Sequence, residues 1–343
     1  MKDNSMSFLV IGLGSMGKRR IRCLQALGVN SICGYDPRQD RREEVKALYG
    51  VTTYNDFSTA LAEGSPNALI ISVPPDLHHG YMTAAVEQSL PFFVEASVID
   101  DGMAELIDKL NGNHLVAAPS ATLLFHPAIS IIEEKVKSGA LGKISNVIHH
   151  SGQFLPDWHT YEAVSDYYVS NPATGGGREI VPFELSWFTR VFGFPDRICG
   201  NFRKTIDISG AEQIDDTYNA LFDYGNFLAS FTVDVVSRHA TRRLMINGDR
   251  QQLIWDWDEN SVRLFDPEKG VWEKIEYDMG SAAAGYNANI GERMYVDEIR
   301  NFIEAIEGKR PFSNNLANDH RILKLLYAIE EADRNGAYVR FNG

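Results

Sequence analysis

Three glycines in the spacing Gly12-x-Gly14-x-x-Gly17 follow the apolar run Phe8-Leu-Val-Ile11, and Asp36 stands about 20 residues past them, the separation a dinucleotide fingerprint requires. The chemistry such residues perform is the holding of a diphosphate. Gly12 permits a tight turn, Gly14 lets the backbone approach a pyrophosphate, and Gly17 lets a helix pack on the preceding strand. The free N–H groups opening that helix then face the anion. A carboxylate at Asp36 can accept both ribose hydroxyls of the adenosine half, which favours NAD over NADP, although nearby Arg38 leaves room for NADP. A glycine turn without a ligand is the competing reading. The surrounding pattern disfavours it, because a helix over Arg19 to Leu27 and a strand over Ser31 to Tyr35 stand in register with the motif.

The elements that position these residues alternate. After the first turn, helices are expected over Arg41 to Tyr49, Leu77 to Gln88 and Met103 to Leu110, and strands over Ala68 to Val73, Pro91 to Glu95 and Leu115 to Ala118. This is an α/β pattern of the doubly wound parallel kind, the Rossmann arrangement, ending near residue 122. Ligands bind beyond the carboxyl ends of such strands, so Asp36, the turn Ser72-Val73-Pro74-Pro75 and the turn Glu95-Ala96-Ser97 are the expected lining. From 123 to 343 the rhythm changes. One helix, His126 to Ser138, precedes strands expected over Ile144–His150, Arg197–Arg203, Thr217–Asp223, Phe227–Val236, Arg242–Asn247, Gln251–Asp256 and Val262–Phe265. The turns Tyr224-Gly-Asn226 and Asn247-Gly-Asp249 join several as hairpins. A C-terminal α+β domain with a large, mostly antiparallel, open-faced sheet follows, closed by helices over Met294 to Glu307 and Asn318 to Asn335. Phe222, Phe231 and Trp255 are expected to cover the open face against a second subunit, giving a homodimer or homotetramer.

Composition narrows the class. At 343 residues with 44% hydrophobic content the chain has material for two cores, and a net charge of −13 disfavours nucleic acid and anionic membrane as partners. The basic cluster Lys18-Arg19-Arg20 reads as a solvated helix face, and Asp215-Asp216 as a solvated turn. Three cysteines without metal-ligand spacing suit a reducing cytoplasm. The opening apolar run is too short for a signal peptide or a membrane span, and no metal is expected.

Several segments together resemble the Gfo/Idh/MocA family of sugar and polyol oxidoreductases. They are Pro74-Pro75-Asp-Leu-His78, the Glu95-led turn, Ser138-Gly-Ala-Leu-Gly-Lys143-Ile, and Gly175-Gly-Gly177 before an aromatic helix. The resemblance implies a first domain that binds NAD(P) and a second that supplies an open-faced sheet. It also implies hydride transfer between nicotinamide and a carbinol carbon of a sugar, inositol or sugar nucleotide. It places Gly12, Gly14, Ser15, Met16, Gly17, Asp36, Ser72, Val73, Pro74, His78 and Glu95 about the cofactor. The chain departs from the family at four places. Ala96 stands where the Glu-Lys-Pro turn carries lysine, Ile180 or Val181 where an Asp is usual, and Phe183 or Leu185 where a His is usual. Leu124 stands near the place of an arginine.

With those groups absent, a proton-transferring side chain must come from elsewhere in the second domain. The segment Gln153-Phe-Leu-Pro-Asp157-Trp158-His159-Thr-Tyr161-Glu162 is the densest polar and aromatic cluster, and it resembles a segment of family members tied to surface-polysaccharide and nonulosonate pathways. Trp158 would stack on a sugar face and His159 exchange a proton with a hydroxyl, with Tyr161 beside them; a surface loop whose Trp packs on the sheet is the alternative. Arg178, Glu179 and Glu184 open the helix after the glycines. Arg178 suits a bidentate clamp on a carboxylate or phosphate, and His159, Glu179 and Glu184 are the acid/base candidates in that order. Glu179 also fits the helix dipole as a first-turn carboxylate, and Tyr167 and Tyr168 read as packing. Two functions follow: a cytoplasmic NAD(P)-dependent oxidoreductase of sugars, amino sugars or sugar nucleotides, or a catalytically silent sensor of dinucleotide or sugar on the same fold.

Overall fold

A computed structural model describes residues 6–158, 162–280 and 291–343. In chain order its elements begin with β1 (Phe8–Ile11), α1 (Ser15–Ala26), β2 (Ile32–Tyr35), α2 (Gln39–Tyr49), β3 (Thr52–Tyr54), α3 (Phe57–Gly64), β4 (Ala68–Ile71) and α4 (His78–Glu87). There follow β5 (Phe92–Val94), α5 (Met103–Leu110), β6 (Ala117–Pro119), α6 (Pro127–Lys137), β7 (Ile144–Gly152), α7 (Gly177–Phe192), β8 (Arg197–Arg203) and β9 (Thr217–Asp223). The rest are β10 (Leu228–Asp234), β11 (Thr241–Gly248), β12 (Gln252–Asp256), β13 (Ser261–Asp266), β14 (Val271–Glu276), α8 (Glu292–Ile306), α9 (Leu316–Asn335) and β15 (Val339–Arg340). The chain divides into two compact units, Met1–Thr122 with Glu292–His320, and Leu123–Gly291 with Arg321–Gly343. The stretch 292–320, which the sequence pattern groups with the second domain, therefore packs with the first.

The first unit is a parallel sheet in the order β3-β2-β1-β4-β5-β6. Gly17 explains how α1 sits so close to β1: a Cβ there would lie 1.8 Å from the carbonyl oxygen of Gly12. Arg19 and Arg20 do not form a solvated face, because both are buried, Arg20 completely. Arg20 donates to Glu95 through Nε and Nη2, each at 2.7 Å, and to Glu298 of α8 through Nη1 at 2.9 Å, with its guanidinium 4.4 Å from the Phe93 ring centroid. Glu298 also accepts from the Ser120 and Thr122 hydroxyls and the Ala121 N–H, four donors in all with Arg20. Burial pushes its carboxyl up, with Arg20 pulling the other way. This network, with Phe302 against Phe8 and Phe93, is why α8 joins the first unit.

The second unit carries a nine-stranded sheet in the order β14-β13-β12-β11-β7-β10-β9-β8-β15, antiparallel except for the β7–β10 pair. One face is covered by α7, whose Phe188 meets Phe222 at 6.0 Å and Phe231 at 5.6 Å, and whose Trp187 meets Trp255 at 6.0 Å. Phe222, Phe231 and Trp255 thus fill this unit's own core and are not free to meet a second subunit. The strand period fixes two faces without saying which is covered, and the intervening positions are the exposed ones: Ile148, Leu221 and Leu228. Asp216 is buried too, accepting from the Thr205 and Ile206 N–H groups and from the Thr205 and Thr217 hydroxyls, so it holds a turn together from within.

Glu298→Ala leaves Arg20 one carboxylate short and strips an acceptor from Ser120, Thr122 and Ala121. A loss of about 3–5 kcal/mol is expected. Urea unfolding followed by fluorescence measures it, and a loss below about 1 kcal/mol contradicts a structural role for this network.

Candidate functional site

In the first unit the fingerprint folds as its residue types require. Gly12 holds a left-handed φ of +86°, and Asp36 accepts from the Leu13 N–H at 2.8 Å through one oxygen and from the Arg38 N–H at 2.9 Å through the other, fastening the glycine turn to the end of β2. Gly14 caps α1 with no side-chain bond, and the first turn, Ser15 and Met16 included, holds no acidic residue. A diphosphate fits such a helix start by charge and by donor supply. Arg38 is exposed and bound to Asp40, whereas Arg41 stands 3.6 Å from Asp36 and beside Gly14.

The turns after β4 and β5 are cross-braced. His78 is buried, with Nε2 3.0 Å from the Val73 carbonyl and Nδ1 3.1 Å from the Ser97 hydroxyl. A carbonyl can only accept, so Nε2 carries the proton and Nδ1 accepts from Ser97. Burial pushes the imidazole down to about 4, so it stays neutral. Ser72 donates to Glu95, and Glu95 is gripped by Arg20. Pro74 precedes the short turn that leads into α4, and Ala96 offers no side-chain polar group.

In the second unit the three carboxyl and guanidinium candidates separate. Arg178 is held by Glu330 at 2.8 Å and by the Ala173 carbonyl, so its fork is not available for a substrate anion. Glu184 is fully buried and accepts from Arg242 (2.6 and 2.9 Å), Ser151 (3.0 Å), Trp187 Nε1 (2.8 Å) and His149 (3.1 Å). Burial opposes its charge, but Arg242 and His149 outweigh that and hold it well below the usual carboxylate range. Such a group cannot take and return protons near neutrality; it is a core tie. His159 and Tyr161 lie outside the described residues.

Glu179 is different. The three glycines exist for close packing: a Cβ on Gly175 would lie 2.0 Å from the Val169 carbonyl, and Gly176 has a left-handed φ of +65° with the Asp215 carbonyl 2.7 Å from its Cβ position. That packing carries the start of α7 against the Tyr168–Ser170 turn, where the Tyr168 hydroxyl donates to one oxygen of Glu179. Among the described residues the other oxygen is buried without a hydrogen-bond partner, and so is Trp158 Nε1. Burial pushes the Glu179 carboxyl up to about 7, with the Tyr168 bond pulling it partly back. Trp158, Tyr167, Tyr168 and Ile180 all pack on one apolar cluster, formed by Leu155, Val164, Val169, Ile208, Ala211, Ile214 and Val235. An aromatic platform, an orphaned indole donor and a carboxyl able to change protonation near neutrality thus share one end of this unit. No group of His, Cys, Asp or Glu among the described residues could hold a metal ion, and none of the described helices is long and apolar enough to cross a membrane.

The sequence pattern reads Arg20 as solvated and Tyr168 as packing, and misses the carboxylates each one binds. Arg20 was findable, since it sits three residues after Gly17 and four before Leu24 on the buried stripe of α1. Nothing local marks Tyr168, whose partner is brought to it by the glycine turn.

Comparison with known proteins gives the same architecture. Residues 6–98 match the Gfo/Idh/MocA oxidoreductase family, NAD-binding Rossmann fold, and residues 130–254 match the Gfo/Idh/MocA C-terminal domain. No curated protein matches the sequence. Among solved structures, an oxidoreductase from Agrobacterium radiobacter in complex with NAD+, L-tartaric acid and magnesium aligns with a TM-score of 0.84 at 13% identity, covering 98% of this chain and 99% of that one. Levoglucosan dehydrogenase in complex with NADH and levoglucosan aligns at 0.83 and 14% identity (98% and 100%), and GenD2 from gentamicin A biosynthesis in complex with NAD at 0.80 and 14% (98% and 97%).

The raised Glu179 carboxyl has a thermodynamic consequence. The folded state holds its proton more tightly than the unfolded state, so the associated stability is full below about pH 4.5 and is lost as pH rises through about 7. Glu179→Gln removes that loss. The variant is expected to match the parent near pH 4.5 and to exceed it by about 3 kcal/mol at pH 8, as read by urea midpoints at the two pH values. A variant no more stable at pH 8 contradicts the assignment.

Proposed function

Since the chain belongs to the Gfo/Idh/MocA family of oxidoreductases, we propose that it is an NAD-dependent oxidoreductase of a sugar-type CH–OH group, with Glu179 as the proton-transferring residue. The observation that carries this reading is the buried, unpartnered oxygen of Glu179 on a carboxyl poised near neutrality. Leaving a buried carboxylate oxygen unpaired costs about 1–3 kcal/mol or more, and such a cost persists where the group has work to do. The dinucleotide is NAD(H), held by the uncapped start of α1, by Gly12, Gly14 and Gly17, and by Asp36. When bound, it supplies the acceptor or donor of hydride. In the oxidative direction the hydroxyl proton passes to Glu179, whose Tyr168 bond keeps the carboxyl oriented; in reduction Glu179 returns it. Trp158 offers a ring for the apolar face of a sugar and an N–H for one of its hydroxyls. Levoglucosan dehydrogenase and GenD2, both similar in fold, support the substrate class.

Self-association belongs, in this reading, to the outer sheet face at Ile148, Leu221 and Leu228, with a second copy of this chain as occupant. Leu221→Asp should lower the molar mass read by light scattering. An unchanged mass removes that face from the interface.

Glu179→Gln should cut turnover by roughly 10²–10⁴-fold while leaving NADH affinity unchanged, measured by NADH absorbance over a sugar panel and by cofactor titration. Turnover at the parent's rate refutes the role of Glu179. Binding of sugars with no change in cofactor redox state, in parent and variant alike, points instead to a sensor.

A further inference from the structure

The 153–158 and 234–238 segments leave the parallel pair β7 and β10 at the same end of the sheet and stay zipped together, Gln153 N–H to the Asp234 carbonyl at 3.2 Å and Leu155 N–H to the Val235 carbonyl at 3.0 Å. The turn that follows is pinned. Asp234 accepts from the N–H groups of Val236 (3.0 Å) and Ser237 (2.7 Å), from the Ser237 hydroxyl (3.0 Å) and from His150 (2.7 Å). Arg238 comes next in the chain. Its guanidinium lies 3.8 Å from the centroid of the Phe154 ring, it is exposed, and no carboxylate among the described residues pairs with it.

Three features set this arginine apart from a solvated one. It stands on a turn fixed by four hydrogen bonds rather than on a loose loop. Its guanidinium is laid over an aromatic ring, which holds the plane while leaving the N–H edge free for a partner. And among the described residues no carboxylate neutralises it, so its charge is open to a ligand. The flanking residues Leu155, Val235 and Val236 belong to the same apolar cluster that carries Trp158 and Tyr168, the partner of Glu179. A planar fork held at the rim of that cluster suits one kind of ligand group, an oxyanion taken by two N–H bonds.

We infer that Arg238 receives an anionic group on the substrate, so that the sugar acted on is a sugar acid or a sugar phosphate and not a neutral sugar. This rests on the oxidoreductase reading only in taking the ligand to be a substrate. The guanidinium takes the role that Arg178, tied to Glu330, cannot fill.

Phenylglyoxal labels accessible guanidinium groups, and mass spectrometry of the full chain with NAD present gives the rate at Arg238 itself. Matched sugars are compared: neutral aldoses, the corresponding aldonates and uronates, and the corresponding phosphates. At least one carboxylate or phosphate member is expected to slow labelling about tenfold, its neutral partner leaving the rate unchanged, since a charge-assisted bond is worth about that factor or more. Protection by carboxylates alone identifies a sugar acid, and by phosphates alone a phosphorylated sugar. Equal rates across the panel, or equal protection by neutral partners, overturn the inference. Calorimetry with the best protector should lose about tenfold in affinity in Arg238→Ala and recover part of it in Arg238→Lys. Turnover separates the two readings. A sugar oxidised equally well by the parent and Arg238→Ala leaves the oxidoreductase standing and removes Arg238 from recognition. Anion protection without any redox change does the reverse.

Discussion

A carboxylate taken out of water must be given a cation, a set of hydrogen-bond donors or a proton, and both units of this chain are organised around that requirement. In the first unit Glu95 and Glu298 share Arg20, with hydroxyls and a backbone N–H completing the shell of Glu298. In the second, Glu184 is met by Arg242, His149, Ser151 and Trp187. Those carboxylates are ties between elements: α1 to α8 and the turn after β5, and α7 to β7 and β11. Among the described residues Glu179 receives one neutral hydroxyl and no cation, and Asp319 in the first turn of α9 has a buried oxygen with no partner, and burial pushes each up to about 7. The same physics thus separates groups that hold the fold from groups left able to titrate.

That separation explains which candidates survive the structure. Glu179 and Glu184 are five residues apart on one helix, and their residue types alone make them equivalent. What distinguishes them arrives from elsewhere: Arg242 from β11 and His149 from β7 for Glu184, and the Tyr168 hydroxyl for Glu179. Arg178 is likewise settled by Glu330, some 150 residues away in the chain. Pairings of that span leave no local trace, whereas the diphosphate turn is legible because all of its parts lie within about 25 residues, with the left-handed φ of Gly12 and the approach of Gly17 to the Gly12 carbonyl both set inside the turn.

The fold was readable to a similar depth and for similar reasons. Alternating apolar runs marked most strands and the hairpins at Tyr224-Gly-Asn226 and Asn247-Gly-Asp249, and β8 and β9 begin and end where the pattern places them. β3 and α3 escaped notice because β3 is three residues long with no buried position, although Asp56 capping the Thr59 N–H is a helix-start signal in the sequence. The parity of the large sheet could not be read. Phe222, Phe231 and Trp255 are the bulkier set, yet that made them core, and the outer face was left to Ile148, Leu221 and Leu228. A helix that supplies Trp187 and Phe188 decides which face is inside, and strand alternation carries no record of it.

The positions where family resemblance places an Asp and a His show what the α7 core demands. Of Ile180 or Val181 for the Asp and Phe183 or Leu185 for the His, Val181 and Leu185 are fully buried, on the stripe that packs with Trp187 and Phe188 against the sheet, and Ile180 and Phe183 are half-buried. An ionisable side chain there would need its own partners in an interior already committed to Glu184 and its four donors. Glu179 lies one half-turn nearer the helix start, where the N-terminal dipole favours the anion while burial disfavours it. Burial outweighs the Tyr168 hydrogen bond that favours the anion, and the carboxyl is left at about 7. Further into α7, Glu184 keeps its charge only because Arg242 and His149 meet it, whereas Glu179 meets a neutral hydroxyl, and that difference in partners is what leaves one carboxyl on this helix able to titrate.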